Sequence, residues 1–274
     1  MAGILYVVAT PIGNLDDITV RAVKTLKEAD LIAAEDTRHT KKLLIHLAIA
    51  TPATSYHEHN EEQKSEELIA KLRDGKNIAL VTDAGTPCVS DPGYRLVKKA
   101  SMAGIKVVPI PGASAMTAAL SASGLPSDEF TFKGFLPEKQ GARRKVLTEM
   151  ALREATYILY ESPKRTVKLL KDIEEIMGDV NIVVARELTK VYEEFIRGTV
   201  SEVLSRISGD LKGEVTVILR TGSPVSADYE EALLSLIKEG ASVRDAVDII
   251  SSDYGVSKKE VYDKAVETKA FEIY

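Results

Sequence analysis

The chain has 274 residues, 45% hydrophobic and 28% charged, which is the composition of a globular protein large enough for two domains. Its net charge of −5 argues against a protein that coats nucleic acid through bulk electrostatics, although a local basic patch is compatible with it. A single cysteine, Cys88, excludes an intramolecular disulfide and a cysteine-based zinc site and fits a reducing, cytoplasmic location. The chain shows no signal-peptide pattern and no apolar run of membrane-spanning length, so we expect no membrane segment.

The N-terminal part of the chain alternates short apolar runs with amphipathic stretches. The runs are rich in β-branched residues, and the predicted strands are Ile4–Ala9, Asp30–Ala34, Asn77–Val81 and Lys106–Ile110. The amphipathic stretches predict helices at Thr19–Ala29, Asn60–Arg73, 93–103 and 113–122. Asn60 and Gln63 have capping-box spacing at the start of the second helix. This alternation predicts a parallel sheet with helices on both faces.

A second set of elements follows a small polar segment at Ser121–Asp128, where we place a domain boundary. The predicted strands are Phe130–Phe135, Ala155–Tyr160, Asn181–Ala185, Glu194–Gly198 and Glu214–Arg220. Helical patterns fall at 140–153, 164–177 and 200–208. The short separation of the strands at 181–185 and 194–198 predicts a hairpin and hence a mixed sheet.

The C-terminal tail follows a linker at 221–226 and carries three short helical patterns near 228–239, 242–253 and 257–269. Ser242 and Ser257 are good N-caps, and the turn Tyr254-Gly255-Val256 resembles that of a helix-turn-helix, with a plain three-helix unit as the alternative. The predicted domains are therefore 1–121, 122–221 and 226–274.

Four Gly/Pro-rich loops follow predicted strands, where open α/β sheets bind ligands. These loops are 9–15, 82–93, 109–115 and 160–165. None contains the glycine pattern of a dinucleotide fold or a Walker A loop, so the usual phosphate cradles are missing. The remaining interpretation is a ligand without phosphate, held by backbone groups that small residues leave accessible. For each loop taken alone, the alternative is that Gly and Pro only form a turn.

The same loops, with several further segments, resemble the ribosomal RNA small subunit methyltransferase I family, a branch of the tetrapyrrole methylase superfamily. The similar segments are 9–19, 34–40, 56–61, 82–93, 111–115, 132–137, 160–165 and 185–190. They occur in order over residues 4–219, and the tail after 226 resembles the helical C-terminal domain of that family. The chain has Gly85-Thr86-Pro87 where the wider superfamily has Gly-Asp-Pro, a change that the ribosomal branch shares.

The resemblance implies two α/β lobes of the tetrapyrrole-methylase type with S-adenosylmethionine in the cleft between them, plus a small helical C-terminal domain, usually in a homodimer. It implies 2′-O-methylation of a cytidine ribose in 16S ribosomal RNA of the small ribosomal subunit. By matching motif positions, the implied cofactor contacts are Pro11, Gly13, Asp83, Ala84, Gly85, Thr86, Pro87, Val89, Ser114, Ala115, Tyr160 and Thr216.

Catalysis by such an enzyme rests mainly on aligning the ribose oxygen with an activated methyl group, and a general base adds to it. The candidate bases are Glu187, Glu161, Asp36 and His59, and the sequence does not rank them. Asp36 is equally well explained as a helix N-cap. His57 and His59 would share one face of a strand but do not make a full ligand set, so we expect no metal site.

Basic residues cluster near the expected substrate side. The candidate RNA-binding residues are Arg38, Lys41, Arg143, Arg144, Lys164 and Arg165. A solvated helix face explains each one singly, whereas together they would form a strip that tracks phosphates.

Two other functions remain open at this point. One is methylation of a corrinoid or porphyrinogen, against which the segment Ala34–Arg38 and the helical tail argue. The other is a non-catalytic, RNA-binding ribosome-assembly factor, against which the cofactor loops argue.

Overall fold

The computed structural model describes residues 1–207, 211–222, 229–254 and 258–271. The chain divides into two compact units. The first unit consists of 1–124 together with 185–195 and 213–216, and the second contains the remaining residues. The predicted domain 122–221 includes the segments 185–195 and 213–216, which belong to the first unit in the structure.

The first unit is a β-sheet with helices packed on both faces. Its elements are β1 (Ile4–Val8), α1 (Val20–Glu28), β2 (Leu31–Ala34), α2 (Thr37–His46), β3 (Ala53–Ser55), α3 (Glu61–Arg73), β4 (Ile78–Val81), α4 (Tyr94–Met102), β5 (Lys106–Ile110) and α5 (Ala115–Ser121). The strand order is β3-β2-β4-β1-β5, and every neighbouring pair is parallel. The predicted parallel sheet is therefore confirmed.

The strands of this sheet carry apolar side chains on both faces. In β4, Ile78 and Leu80 belong to one buried cluster, whereas Ala79 and Val81 belong to another. A strand with this pattern is covered by helices on both sides, which explains its continuous apolar run. The sequence analysis missed β3 and α2, because β3 is only three residues long and α2 carries few apolar residues.

Asn60 occupies the N-cap position of α3, as predicted, but its side chain makes no helix-capping hydrogen bond. Its amide oxygen accepts from His57 N at 2.9 Å, and its amide nitrogen donates to Ser55 Oγ at 3.3 Å. The capping box expected with Gln63 is thus wrong, since Asn60 is used to fix the loop that precedes the helix.

A second five-stranded sheet has the order β6-β7-β10-β8-β9. Its elements and the helices around it are β6 (Phe130–Phe135), α6 (Gln140–Ala151), β7 (Thr156–Glu161), α7 (Pro163–Met177), β8 (Asn181–Arg186), β9 (Glu194–Thr199), α8 (Val200–Arg206) and β10 (Val215–Arg220). The strands β8 and β9 are neighbours, as the predicted hairpin requires, and β6 pairs with β7 in parallel.

Three helices form the C-terminal tail: α9 (Tyr229–Lys238), α10 (Val243–Tyr254) and α11 (Lys258–Phe271). Each packs against the other two around a core that includes Leu233, Ile250 and Val261. Ser242 caps α10, since its hydroxyl accepts from Asp245 N at 3.1 Å. The predicted turn at 254–256 and the cap at Ser257 lie largely outside the described residues. None of the described helices is long and apolar enough to cross a membrane.

Candidate active site

Backbone hydrogen bonds join the loops that follow β1 and β4. Thr10 N donates to Gly85 O at 2.8 Å, and Gly85 N donates to Thr10 O at 3.0 Å. The Thr10 hydroxyl also donates to Thr82 O at 3.1 Å. Because β1 and β4 are neighbours, these bonds hold two of the predicted ligand loops side by side at the carboxyl edge of the first sheet.

The loop before α5 is hydrogen-bonded to the loop after β4. Thr86 Oγ1 donates to Ala113 O at 3.1 Å, and the next residue, Ser114, is the N-cap of α5 without a capping bond from its side chain. Gly85 has φ +88°, a conformation that L side chains rarely adopt, and a Cβ there would lie 3.5 Å from Ile12 Cγ2. Three of the four predicted loops therefore meet within the first unit.

The loop after β4 contains four residues with positive φ in nine positions. Besides Gly85, these are Cys88 at 71°, Ser90 at 63° and Gly93 at 141°. Left-handed backbone at non-glycine residues persists only where the surroundings impose it, and it gathers at ligand sites. Burial raises the pKa of the Cys88 thiol to about 11, so the thiol stays protonated and is a poor nucleophile at neutral pH.

Carboxylates surround the start of this loop. Glu35 Oε2 accepts from Thr82 Oγ1 at 2.6 Å and from Asp83 N at 3.3 Å, and Asp83 Oδ1 accepts from Asp36 N at 3.1 Å. Burial, together with the negative charge of Glu35, raises the pKa of Asp91 to about 6, and burial also raises that of Asp83. Within the described residues, no group of three or more His, Cys, Asp or Glu side chains is arranged to hold a metal ion.

Asp36 is the N-cap of α2. Its Oδ1 accepts from Arg38 N at 2.8 Å, and its Oδ2 lies 2.7 Å from Arg38 Nη2. Hydrogen bonds from the Arg38 side chain hold the pKa of Asp36 well below its usual range. A carboxylate engaged in this way is a weak proton acceptor, so the helix-cap interpretation accounts for Asp36.

Glu187 stands at a strained turn that contacts the first ligand loop. Its φ is +50°, and its Oε1 accepts from Lys190 Nζ at 2.8 Å and from Glu214 N at 3.1 Å. The bond from Lys190 lowers the pKa of Glu187. A Cβ on Gly13 would lie 2.5 Å from Lys190 Cγ, so a larger residue there would force the Lys190 side chain to shift. The side chain of Glu187 thus organises the turn rather than standing open.

His57 and His59 follow the edge strand β3. Their ring centroids are 6.0 Å apart in an edge-to-face arrangement, and His57 Nε2 lies 3.2 Å from Asn60 Nδ2. The other ring nitrogen of His57, Nδ1, is buried and has no hydrogen-bond partner among the described residues. His59 is exposed.

The buried Glu161 is paired with the half-buried Arg165 in the second unit. The Glu161 side chain is 1% exposed, its Oε1 accepts from Ser162 N at 2.7 Å, and Arg165 Nε lies 3.1 Å from that oxygen. The Oε2 atom is buried and meets no hydrogen-bond partner in the part of the chain that the structure describes. Arg165 Nη2 donates to Leu136 O at 2.7 Å, so this guanidinium fastens the end of β6 to the first turn of α7.

The structure corrects the prediction that Arg143 contacts RNA. Its side chain is 6% exposed, and its Nε donates to Asp172 Oδ2 at 2.8 Å. Arg144 is half-buried and paired with Asp172 and Glu175. These two arginines join α6 to α7, and the buried guanidinium of Arg143 is already engaged by Asp172.

The remaining predicted residues lie on different parts of the fold. Pro11 and Pro87 are buried, Val89 is half-buried, and Thr216 is buried in β10. Tyr160 is half-buried and contacts Phe132 and Phe135, two rings that the sequence analysis did not single out. The sequence analysis also did not single out Glu35 and Asp91. Their only signal in the sequence is that they lie within the segments 34–40 and 82–93 that resemble the family. Lys41 and Lys164 are exposed.

The family described as Tetrapyrrole (Corrin/Porphyrin) Methylases matches residues 4–204, so the chain belongs to that family. The ribosomal RNA small subunit methyltransferase I of Halalkalibacterium halodurans is 48% identical over 95% of this chain and 94% of its own. The protein of the same name from Synechocystis sp. is 45% identical over 98% and 99%. A crystal structure of diphthine synthase shares the fold, with a TM-score of 0.64 at 19% identity over 80% of this chain and 90% of that one.

These similarities confirm the predicted fold class and the prediction that the chain is a methyltransferase. They also confirm the resemblance to the ribosomal branch that the motifs indicated.

Proposed function

We propose that the chain transfers a methyl group from S-adenosylmethionine to the 2′-oxygen of a cytidine ribose in 16S ribosomal RNA. The observation that carries the proposal is the bonding of three strand-end loops through Thr10, Gly85, Thr86 and Ala113. It occurs in a chain 45–48% identical, over nearly its full length, to proteins named ribosomal RNA small subunit methyltransferase I.

The loops of the first unit fit a cofactor that lacks phosphate. Small residues at Ala84, Gly85, Ala113 and Ala115 let a ligand approach the backbone amides and carbonyls closely. When bound, S-adenosylmethionine supplies a methyl group on a sulfonium, already activated for transfer. The residues of the first unit that would hold it are Pro11, Gly13, Asp83, Ala84, Gly85, Thr86, Pro87, Val89, Ser114, Ala115 and Thr216.

The chain's own contribution is to orient the ribose and to accept its proton. Among the four candidate bases, Asp36 and Glu187 are bonded to cations, and Glu161 is buried beside Arg165. We therefore favour His59, whose exposed imidazole follows the carboxyl end of β3, and assign Glu161 a positioning role through Arg165. His59→Gln should then lower kcat roughly 10²- to 10⁴-fold, the usual contribution of a general base, with unchanged affinity for S-adenosylmethionine. An unchanged kcat in His59→Gln would contradict this assignment.

The RNA would be contacted by exposed cations. Of the predicted RNA contacts, Arg38, Lys41 and Lys164 are exposed and are kept in the proposal, Lys42 is a further exposed cation, and Arg143 is left out because it is buried. Because the net charge is −5, sequence-independent attraction to naked RNA is weak, and an assembled small subunit that presents the ribose in a fixed geometry is the better substrate. We also propose a homodimer, on the strength of the family resemblance.

The test is incorporation of labelled methyl groups into small subunits purified from a strain that lacks this enzyme, with naked 16S RNA as the matched control. We expect transfer to the subunits, and mapping of ribose methylation should locate it at a cytidine. Equal rates on naked RNA would refute the preference for the particle. Transfer to uroporphyrinogen but not to subunits would replace the proposed function with the tetrapyrrole one.

A further inference from the structure

The strand β6 carries a bulge that changes the direction of its aromatic side chains. Phe132 pairs with Ile158, Gly134 with Leu159 and Phe135 with Tyr160, so that Lys133 has no partner in the register. Gly134 has φ +62°, which supplies the left-handed residue that such an irregularity uses. The extra residue shifts every later side chain of β6 to the opposite face.

The consequence is a cluster of three aromatic rings. Phe132 and Phe135 are three residues apart and would point to opposite faces of a regular strand. With the bulge, both lie on the face of Tyr160, whose ring meets Phe132 at 4.9 Å and Phe135 at 5.7 Å between centroids, each edge to face. Phe132 and Tyr160 are half-buried, whereas Phe135 is 58% exposed.

The exposed ring is held on a fixed backbone. On one side of Phe135 stands the bulge, and on the other the buried Leu136, whose carbonyl accepts from Arg165. Arg165 is itself paired with the buried Glu161. An aromatic ring that is exposed yet anchored loses little conformational entropy when a planar ligand stacks on it.

Positive charge accompanies these rings. Lys133 is the bulged residue, and Lys139 and Lys164 lie a few residues beyond the two aromatic strands; all three are exposed. In the portion of the chain that the structure describes, none of the three forms an ion pair. Exposed aromatic rings and exposed lysines are the combination that binds single-stranded nucleic acid, with bases on the rings and phosphates on the lysines.

We propose that Phe135, supported by Phe132 and Tyr160, is a stacking platform for an unpaired base of the RNA substrate. The proposal rests on the proposed function for the presence of RNA and adds the side chain on which a base is held. It assigns a purpose to the segment 132–137, which the methyl-transfer reaction alone does not use.

The protein contains no tryptophan, which makes a direct test available. Phe135→Trp places a single tryptophan on the platform, which can be excited selectively over the tyrosines. Phe130→Trp, at the opposite end of the same strand where Phe130 is 40% exposed, is the matched control. The probes are a short oligoribocytidylate and an abasic oligomer of the same length, at low ionic strength. We expect the oligoribocytidylate to quench the tryptophan at 135 and not that at 130, and the abasic oligomer to quench neither.

A second measurement uses small subunits. Phe135→Leu should lower kcat/KM roughly five- to a hundredfold, the loss typical of one base–aromatic stack, whereas Phe135→Tyr should stay near the wild type. Calorimetry should show unchanged affinity for S-adenosylmethionine in both variants, and light scattering should show an unchanged mass.

Several results would overturn the platform. These are equal quenching at 130 and 135, no quenching at 135, or full activity of Phe135→Leu on subunits. A fall in cofactor affinity would make Phe135 a contact of the adenine, and a fall in mass would make it a contact between copies of the chain; both outcomes exclude the platform. If the wild type methylates no subunits, the proposed function fails separately, and the fluorescence result still decides whether a base stacks on Phe135.

Discussion

Replacing Asp91 by Asn tests the electrostatics of the loop after β4. Burial and the neighbouring Glu35 and Asp83 raise the pKa of Asp91 from 3.8 to about 6. Between these two values the folded chain holds more protons than the unfolded one, so the free energy of unfolding falls as the pH rises through this window. Above a pH of about 6 the full cost of the buried charge is present in the wild type and absent from Asp91→Asn.

The magnitude follows from the size of the shift. A change from 3.8 to about 6 is about two pKa units, or about 3 kcal/mol at the usual 1.36 kcal/mol per unit, and partial exposure of Asp91 reduces this to about 1–3 kcal/mol. The assay is thermal and urea unfolding of both proteins followed by circular dichroism over a range of pH. Asp91→Asn should be the more stable protein at neutral pH, and the difference should vanish as the pH approaches about 4.

A matched control is Asp128→Asn, since Asp128 is an exposed aspartate at the end of the segment before β6. Its stability should follow the wild type at every pH. The reasoning is refuted if Asp91→Asn is less stable than the wild type at neutral pH, or if its stability difference does not change with pH.

Three further outcomes are expected. Gly85→Val should abolish binding of S-adenosylmethionine in calorimetry, because φ +88° strains any side chain and the loop must shift. The control Gly141→Ala, whose added Cβ meets no described atom within 4 Å, should bind normally. Undiminished binding by Gly85→Val would contradict this prediction. Arg143→Ala should lower the free energy of unfolding by about 3–5 kcal/mol, since it leaves Asp172 buried with fewer partners. Lys164→Ala should leave the free energy of unfolding unchanged, weaken RNA binding and reduce the salt dependence of that binding. Equal stability of the two variants would refute the distinction between them. Light scattering should give twice the monomer mass, and a monomer at micromolar concentration would refute the homodimer.

Much of the fold could be read from local pattern. The apolar run of β4 is buried on both faces and predicts a parallel strand, because helices cover both sides of such a sheet. The short strand β3 and the polar helix α2 escaped prediction, since their positions depend on the neighbouring strand and on the cap by Asp36 rather than on a run of apolar residues.

The roles of charged side chains could not be read in this way. Arg143 and Lys164 look alike as members of basic clusters, yet Asp172, 29 residues further along the chain from Arg143, buries one guanidinium while the lysine stays exposed. Glu187 and Asp36 are candidate bases by sequence, Asp36 with a helix N-cap as the alternative, but their carboxylates are bonded to Lys190 and Arg38. The packing of the fold determines which groups a side chain contacts, and a single sequence does not show these contacts.

The sequence by itself determined the class of fold and the family, and it singled out the loops proposed to hold the ligand, because strand and helix periods and motif order are local properties of the chain. Only the tertiary structure decided which loops are joined, which carboxylates are raised or lowered in pKa, and which ring is exposed. The aromatic cluster shows the physical reason. Phe132 and Phe135 share a face only because one residue of β6 is skipped in its pairing with β7, and that register is set between strands rather than within one.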